Sequence, residues 1–274
     1  MSTLCPATLA RLTAIAPHHC AEIERLSELN EATWPVVTVL GKYNHGKSSL
    51  LNALIGEDCF AVSDQRETRR ISVQMHQGIQ WMDTPGLDAD VAGDDDRRAM
   101  QAARRQADVR LFIHAIDLGE LDASELALMR ELLDEQSTTG RPTVLVLTRI
   151  ANQPVAEREQ VIRAVSQQVP EAHIVAVSAS SHQRGIANKM PALVQLGNLV
   201  ALHTAITSAV LQTQRIRECE RALLVSTVAK HVSHLLDQAY SRHEQAKSRA
   251  QATHNVLQQQ FAQLQHRIAT EIRG

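Results

Sequence analysis

The run VVTVLGKYNHGKSSLLNALIG, residues 36–56, restricts this chain more than any other feature, because a β-branched strand, a glycine loop of the form GxxxxGK[ST] and a helix follow one another without a gap. Residues 36–40 suit a strand buried on both faces, and Leu50, Leu51, Leu54 and Ile55 give residues 48–55 an apolar helical face. Gly41 and Gly46 bracket a loop whose backbone N–H groups can approach phosphate oxygens at the positive end of a helix. In such a cradle Lys47 reaches the β- and γ-phosphates and the Ser48 hydroxyl ligates Mg²⁺. The expectation is an α/β three-layer domain with a mostly parallel sheet and a nucleotide site at this turn.

Downstream residues extend the site. Gln80-Trp81-Met82 lead into Asp83-Thr84-Pro85-Gly86, about forty residues after the loop, where an aspartate ending a strand holds Mg²⁺ through water and a glycine amide senses the γ-phosphate. Between them, Thr68 in Glu67-Thr68-Arg69-Arg70 is placed to close on Mg²⁺, or simply to open a strand over residues 71–75. Further strands are expected at 109–115, 143–147 and 174–177, and helices at 97–107, 123–133 and 156–168. Asp94-Asp95-Asp96 fits a mobile switch segment and equally the charge complement of the helix that follows.

GKYNHGKSSLLNALIG, ETRR, DTPG, VLVLTRIAN and IVAVSAS, in that order, resemble the five G motifs of the translation-factor-related GTPases, with Era-like and dynamin-like bacterial proteins nearest in pattern. The resemblance covers residues 34 to about 205. It implies that Gly41, Gly46, Lys47, Ser48 and Ser49 bind phosphates, that Ser48, Thr68 and Asp83 are the Mg²⁺ ligands, and that Gly86 is the γ-phosphate sensor. It implies GTP and GDP as ligands, Mg²⁺ as cofactor, and slow intrinsic hydrolysis with Lys47, Thr68 and Asn44 as the catalytic set. Asn44 matches the loop asparagine with which related GTPases bind K⁺, or is a loop residue tolerating positive φ; His45 approaches the phosphates or lines the loop.

The chain departs from the family at the base. In place of [NT]KxD it carries Thr148-Arg149-Ile150-Ala151; Arg149 can replace the stacking lysine, but Ala151 cannot accept the guanine N–H groups. Losing that charge-assisted pair costs about 1.5–3 kcal/mol of discrimination. Ser178-Ala179-Ser180 resembles the fifth motif, whose alanine amide contacts guanine O6. Leu87 stands where Ras-like enzymes orient water with glutamine, so transition-state charge has to come from a cation, another loop or a partner.

The ends are of another material. Residues 1–33 suggest helices interrupted at Pro17, 34–205 the GTPase domain, and 206–274 a helical hairpin or coiled coil, since no Gly or Pro occurs from Leu199 to Arg273. Unbroken, that stretch would span about 110 Å, and the polar interval 241–255 is a candidate turn or weakly packed section between two apolar stripes. Helical ends around a G domain are similar to the neck of dynamin-like proteins, which suggests self-association through the G face or the helices. With 28 basic and 30 acidic residues the chain has no overall nucleic-acid signature. An Era-like RNA role is further weakened by the absence of a GxxG loop after Gly197. Cys5, Cys20, Cys59 and Cys219 lack metal or disulfide spacing, and no apolar run of about eighteen residues or signal pattern is present, so a cytoplasmic protein without a transmembrane segment is expected, peripheral membrane contact staying open. Two readings remain: a GTP-hydrolysing switch or assembly protein, and a nucleotide-binding scaffold with little turnover.

Overall fold

A computed structural model describes residues 5–61, 71–86 and 94–271, with side chains at 94–99 and 269–271 excepted. Helices α1 (Pro6–Ile15) and α2 (Cys20–Glu31) precede β1 (Val36–Gly41), α3 (Lys47–Ile55), β2 (Ser72–His76) and β3 (Ile79–Asp83). Then come α4 (Asp94–Gln106), β4 (Val109–Ala115), α5 (Ala123–Thr139), β5 (Thr143–Thr148), α6 (Val155–Gln168) and β6 (His173–Ala176), followed by α7 (Ala179–Ala187), α8 (Pro191–Gly197), α9 (Leu199–Leu211) and α10 (Thr213–Glu271). The strands form one sheet in the order β2-β3-β1-β4-β5-β6, parallel except for the antiparallel edge strand β2.

The period of two along each strand divides the interior into two layers. Val37, Val39, Leu111, Ile113, Val144 and Val146 pack on one face with Leu50, Leu51, Leu202 and Ile206 from α3 and α9. Their neighbours Leu40, Phe112, Leu145 and Leu147 pack on the other with Met129, Leu132 and Val165 from α5 and α6. The strand order switches sides at β1, which pairs in parallel with β3 on one side and with β4 on the other. Ligands of open α/β sheets bind outside the carboxyl ends of the strands at such a point, and the glycine loop leaves β1 there.

The chain divides into two compact units, one centred on Glu24–Leu223, the other made of Leu4–Ile23 and Leu224–Gly274. In the second unit Leu9 and Val228 are buried, and the rings of His19 and His231 meet edge to face at 4.8 Å. Of the two expectations for residues 241–255, the turn is corrected, because α10 runs through them for 59 residues, while the weakly packed section is what is observed. Its polar interval is fully exposed, and a solvated helix without Gly or Pro needs no apolar face at that point to continue. Among the described residues the only break after Leu199 falls at Gln212, and the later stripe, Val256, Leu257, Phe261, Leu264 and Ile268, is exposed rather than part of a core. The hairpin α7–α8 was not expected from the sequence. Asp94-Asp95-Asp96 forms the start of α4, and no single described helix is long and apolar enough to cross a membrane.

Candidate functional site

The glycine loop is shaped by three positive-φ residues, Gly41 at 149°, Asn44 at 59° and Gly46 at 87°. At Gly41 a Cβ would stand 2.3 Å from the Ile113 carbonyl oxygen, so only glycine lets β1 pass β4 and turn at once. Gly46 caps α3, which leaves the first backbone N–H groups of the helix facing the loop. Lys47 curls back, its Nζ donating to the carbonyls of Gly41 at 3.1 Å and Lys42 at 2.8 Å, which sets the ammonium along the inside of the cradle. Ser49 follows on the same turn of α3.

Beside it, β3 delivers Asp83, which is 1% exposed. The Ser48 hydroxyl donates to Asp83 Oδ2 at 2.6 Å, while Asp83 Oδ1, also buried, has no protein partner. Burial pushes the Asp83 carboxyl up, against the Ser48 hydrogen bond and the Lys47 charge that pull it down. An orphaned carboxylate oxygen next to a serine hydroxyl is an oxygen donor set that a hard divalent cation satisfies, with the Lys47 ammonium left for phosphate oxygens. The next residues fix this pair to the sheet. Thr84 Oγ1 donates to the Val39 carbonyl at 2.7 Å, and Gly86 lies so close to the loop that a Cβ would be 2.6 Å from the Tyr43 amide nitrogen. Thr68 and Leu87 lie outside the described residues.

At the base end, Thr148 is buried and its Oγ1 donates to the His45 carbonyl at 2.7 Å. Arg149 has a left-handed backbone, φ 61°, and its guanidinium donates to Asn44 Oδ1 at 2.9 Å, to the Asn44 carbonyl, and to Asp117 at 3.2 Å. Ala151 lies in the single helical turn Ile150–Asn152 with only a methyl group to offer. Ser178 caps α7 by accepting from the Ser181 amide at 3.2 Å, and Ala179 opens that helix, packed partly against the core. Of the two expectations for His45, the inward course fits lining of the loop rather than approach to the phosphates: its side chain is 4% exposed, with Nδ1 3.3 Å from the Ile113 carbonyl. The structure thus brings Gly41, Asn44, Gly46, Lys47, Ser48, Asp83, Gly86, Thr148 and Arg149 to one end of the sheet. Sequence reasoning missed the Arg149–Asn44 and Arg149–Asp117 contacts, and also His114 and Glu125, which no motif marks.

Residues 36–149 match the family model of the 50S ribosome-binding GTPase. An uncharacterised protein of Acinetobacter baylyi, ACIAD1443, is 39% identical over 251 residues, 90% of this chain and 60% of its own length. GTPase Era of Bordetella petrii is 30% identical over 157 residues, 54% of this chain and 51% of Era. Among solved structures, Aquifex aeolicus Era bound to GDP and aluminium fluoride superposes with a TM-score of 0.50 at 24% identity, over 64% of this chain and 56% of that one. A chain of an oligomerised bacterial dynamin pair superposes with a TM-score of 0.56 at 16% identity, over 93% of this chain and 50% of that one. The chain therefore spans 60% of its Acinetobacter relative and about half of Era. Taken with the strand order and the geometry of the loop, these matches show that residues 36–149 have a P-loop fold and are similar in sequence to the GTPase domain of that family model.

Proposed function

We infer that the chain binds GTP and GDP at this site with Mg²⁺ and hydrolyses GTP slowly, acting as a nucleotide-dependent switch. The observation that carries the reading is the Ser48–Asp83 pair with its orphaned oxygen beside Lys47. When bound, Mg²⁺ would supply positive charge that offsets the charge of the phosphates. Ser48 and Asp83 would hold the ion, directly or through water, with Thr68 as the further ligand, and Gly46, Lys47, Ser48 and Ser49 would hold phosphate oxygens. Gly86 would report the γ-phosphate through its amide, the arm of Arg149 would lie along the base, and Thr148, Ser178 and Ala179 would frame it.

Turnover needs charge that Leu87 does not provide. Asn44 offers its side-chain oxygen for K⁺, but the Arg149 guanidinium already occupies that oxygen, so a monovalent cation competes with an internal one. The alternative of a binding or scaffold module with little turnover is favoured by Ala151. Self-association is supported by the apolar stripe left exposed on α10, and by the dynamin-pair likeness at the level of fold. An Era-like RNA role has less support, since the described residues after Gly197 are the two helices α9 and α10. Phosphate release from GTP and ATP, with Mg²⁺ or a chelator and with K⁺ or Na⁺, tests the reading: Mg²⁺-dependent release from GTP above ATP is expected. Tight binding with no release under any condition assigns the chain to the module class instead.

A further inference from the structure

Beneath the phosphate loop lies a buried group of ionisable side chains that no step of nucleotide binding uses. His45 of the loop, His114 of β4 and Glu125 in the first turn of α5 are 4%, 1% and 2% exposed. Glu125 Oε1 accepts from His114 Nδ1 at 2.9 Å and lies 3.4 Å from His45 Nδ1, while its Oε2 accepts from the Asp122 amide at 3.2 Å. His114 Nε2 lies 2.9 Å from the Gly119 carbonyl. The two rings meet edge to face with centroids 5.4 Å apart. The Thr148 hydroxyl sits 2.7 Å from the carbonyl oxygen of His45 and 3.3 Å from that of His114. Lys42, at the front of the loop, pairs with Asp122, the N-cap of α5. Both limbs of the loop therefore rest on one capping box, Lys42 on Asp122 and His45 on Glu125.

The protons on this group follow from its partners. A carbonyl oxygen only accepts, so His114 Nε2 carries a proton; Nδ1 faces a carboxylate and carries one as well. With both protons in place His114 is an imidazolium opposite a buried carboxylate, the form that the Glu125 hydrogen bond and charge favour. Loss of its Nδ1 proton to solvent would set a lone pair against Glu125 Oε1 and leave a buried charge short of a donor, a costly arrangement that moves whatever leans on that oxygen.

We propose that the His114–Glu125 pair is a positioning device that holds the phosphate loop in its nucleotide-accepting form through His45, so that nucleotide affinity falls as pH rises through the titration of His114. The proposal rests on the reading of this loop as a guanine-nucleotide site. The charged and titratable groups acting on His114 are Glu125 and Asp122 from α5 and His45 from the loop; those acting on His45 are Glu125, His114 and Lys47. Burial works to lower the pKa of His114, but the Glu125 hydrogen bond and charge outweigh it and hold it above 6.5. Burial dominates at His45 and lowers its pKa, which keeps the second ring neutral and able to donate one proton. A histidine raised in the folded state contributes stability that is complete below its unfolded pKa and lost as pH rises through the folded value. The window is therefore above 6.5, on the alkaline side of the ordinary histidine range.

The test uses the full chain. The Kd of a fluorescent GDP derivative with Mg²⁺ is measured from about pH 6 to 9, across the histidine range, for wild type and His114→Gln, and the His114 ring resonance is titrated by NMR with and without GDP. Binding should raise the His114 pKa by about half a unit, equivalent to roughly threefold in affinity lost by wild type on the alkaline side. Titration of the nucleotide itself appears in both proteins, so the difference between their profiles reads the device. Parallel profiles, a His114 titration unmoved by GDP, or one equivalent of zinc copurifying with the three ligand atoms, which lie within 4.8 Å of one another, would overturn it. Should His114→Gln not fold, the NMR titration of wild type decides. Failure of wild type to bind GDP at any pH contradicts the site reading itself, whereas tight binding with parallel profiles contradicts this proposal alone.

Discussion

The proposed site makes residue 151 the position on which its choice of base turns. The Ala151 methyl group lies beyond Arg149 in the turn after β5, where the resemblance to the [NT]KxD motif implies a carboxylate that pairs with guanine. Ala151→Asp should raise the preference for GTP over ATP by about 1.5–3 kcal/mol, roughly ten- to a hundred-fold, in competition binding. Equal competition by ATP in the variant would show that this turn does not face the base. Lys47, Ser48 and Asp83 were legible in the sequence, because phosphate and Mg²⁺ chemistry admits few residue types at fixed spacing. Arg149 on Asn44, 105 residues away, and His114 on Glu125, 11 residues away, were not. Each of these side chains alone is as well explained by a solvated loop or an ordinary core contact. Only the meeting of strand ends gives them partners.

Among the elements, those with a strict period were read almost to the residue. β1, β4 and β5 alternate between two apolar layers, and the expected strand at 109–115 is β4 as observed. Helices were misjudged where their apolar pattern fades. α5 continues to Thr139 because its last turn is held by hydrogen bonds from Ser137, Thr138 and Thr139 to carbonyls one turn back and by Gly140 as cap, none of which alters an apolar stripe. The polar interval of α10 misled for the opposite reason: a hydrophilic run reads as a turn when the absence of Gly and Pro should decide. The junction of β1 with the loop is the tightest place in the fold. Gly41→Ala brings a Cβ within 2.3 Å of the Ile113 carbonyl at a backbone angle that alanine avoids, which should cost about 1–3 kcal/mol in denaturant unfolding and weaken nucleotide binding as well. An unchanged midpoint would mean that β1 and β4 separate there more easily than their packing implies.

At the scale of the whole molecule, the end of the sheet opposite the phosphate loop is held by buried ion pairs as well as by apolar contact. Asp108 accepts from the Val36 amide at 2.8 Å and from Arg217 at 2.9 and 2.6 Å, and Arg25 donates to Glu220 at 3.1 and 2.8 Å. These bonds fasten α2 and the first turns of α10 to the starts of β1 and β4, joining parts of the chain up to 195 residues apart. Arg217→Met should cost about 3–5 kcal/mol in denaturant unfolding, since it leaves Asp108 buried and short of its partner, whereas pairing it with Asp108→Leu should recover much of the loss. A small effect of the single substitution would show that water reaches Asp108. None of this network was visible in the sequence, where Arg and Glu in helices read as solvated faces. What the whole molecule does depends in the end on its site, and calorimetric titration of wild type and Lys47→Ala with GDP and a non-hydrolysable GTP analogue, with and without Mg²⁺, tests that most directly. The account predicts one site per chain in wild type, tighter with Mg²⁺, and no measurable binding by a Lys47→Ala protein whose unfolding midpoint is close to that of wild type; equal affinity in the two proteins would contradict it.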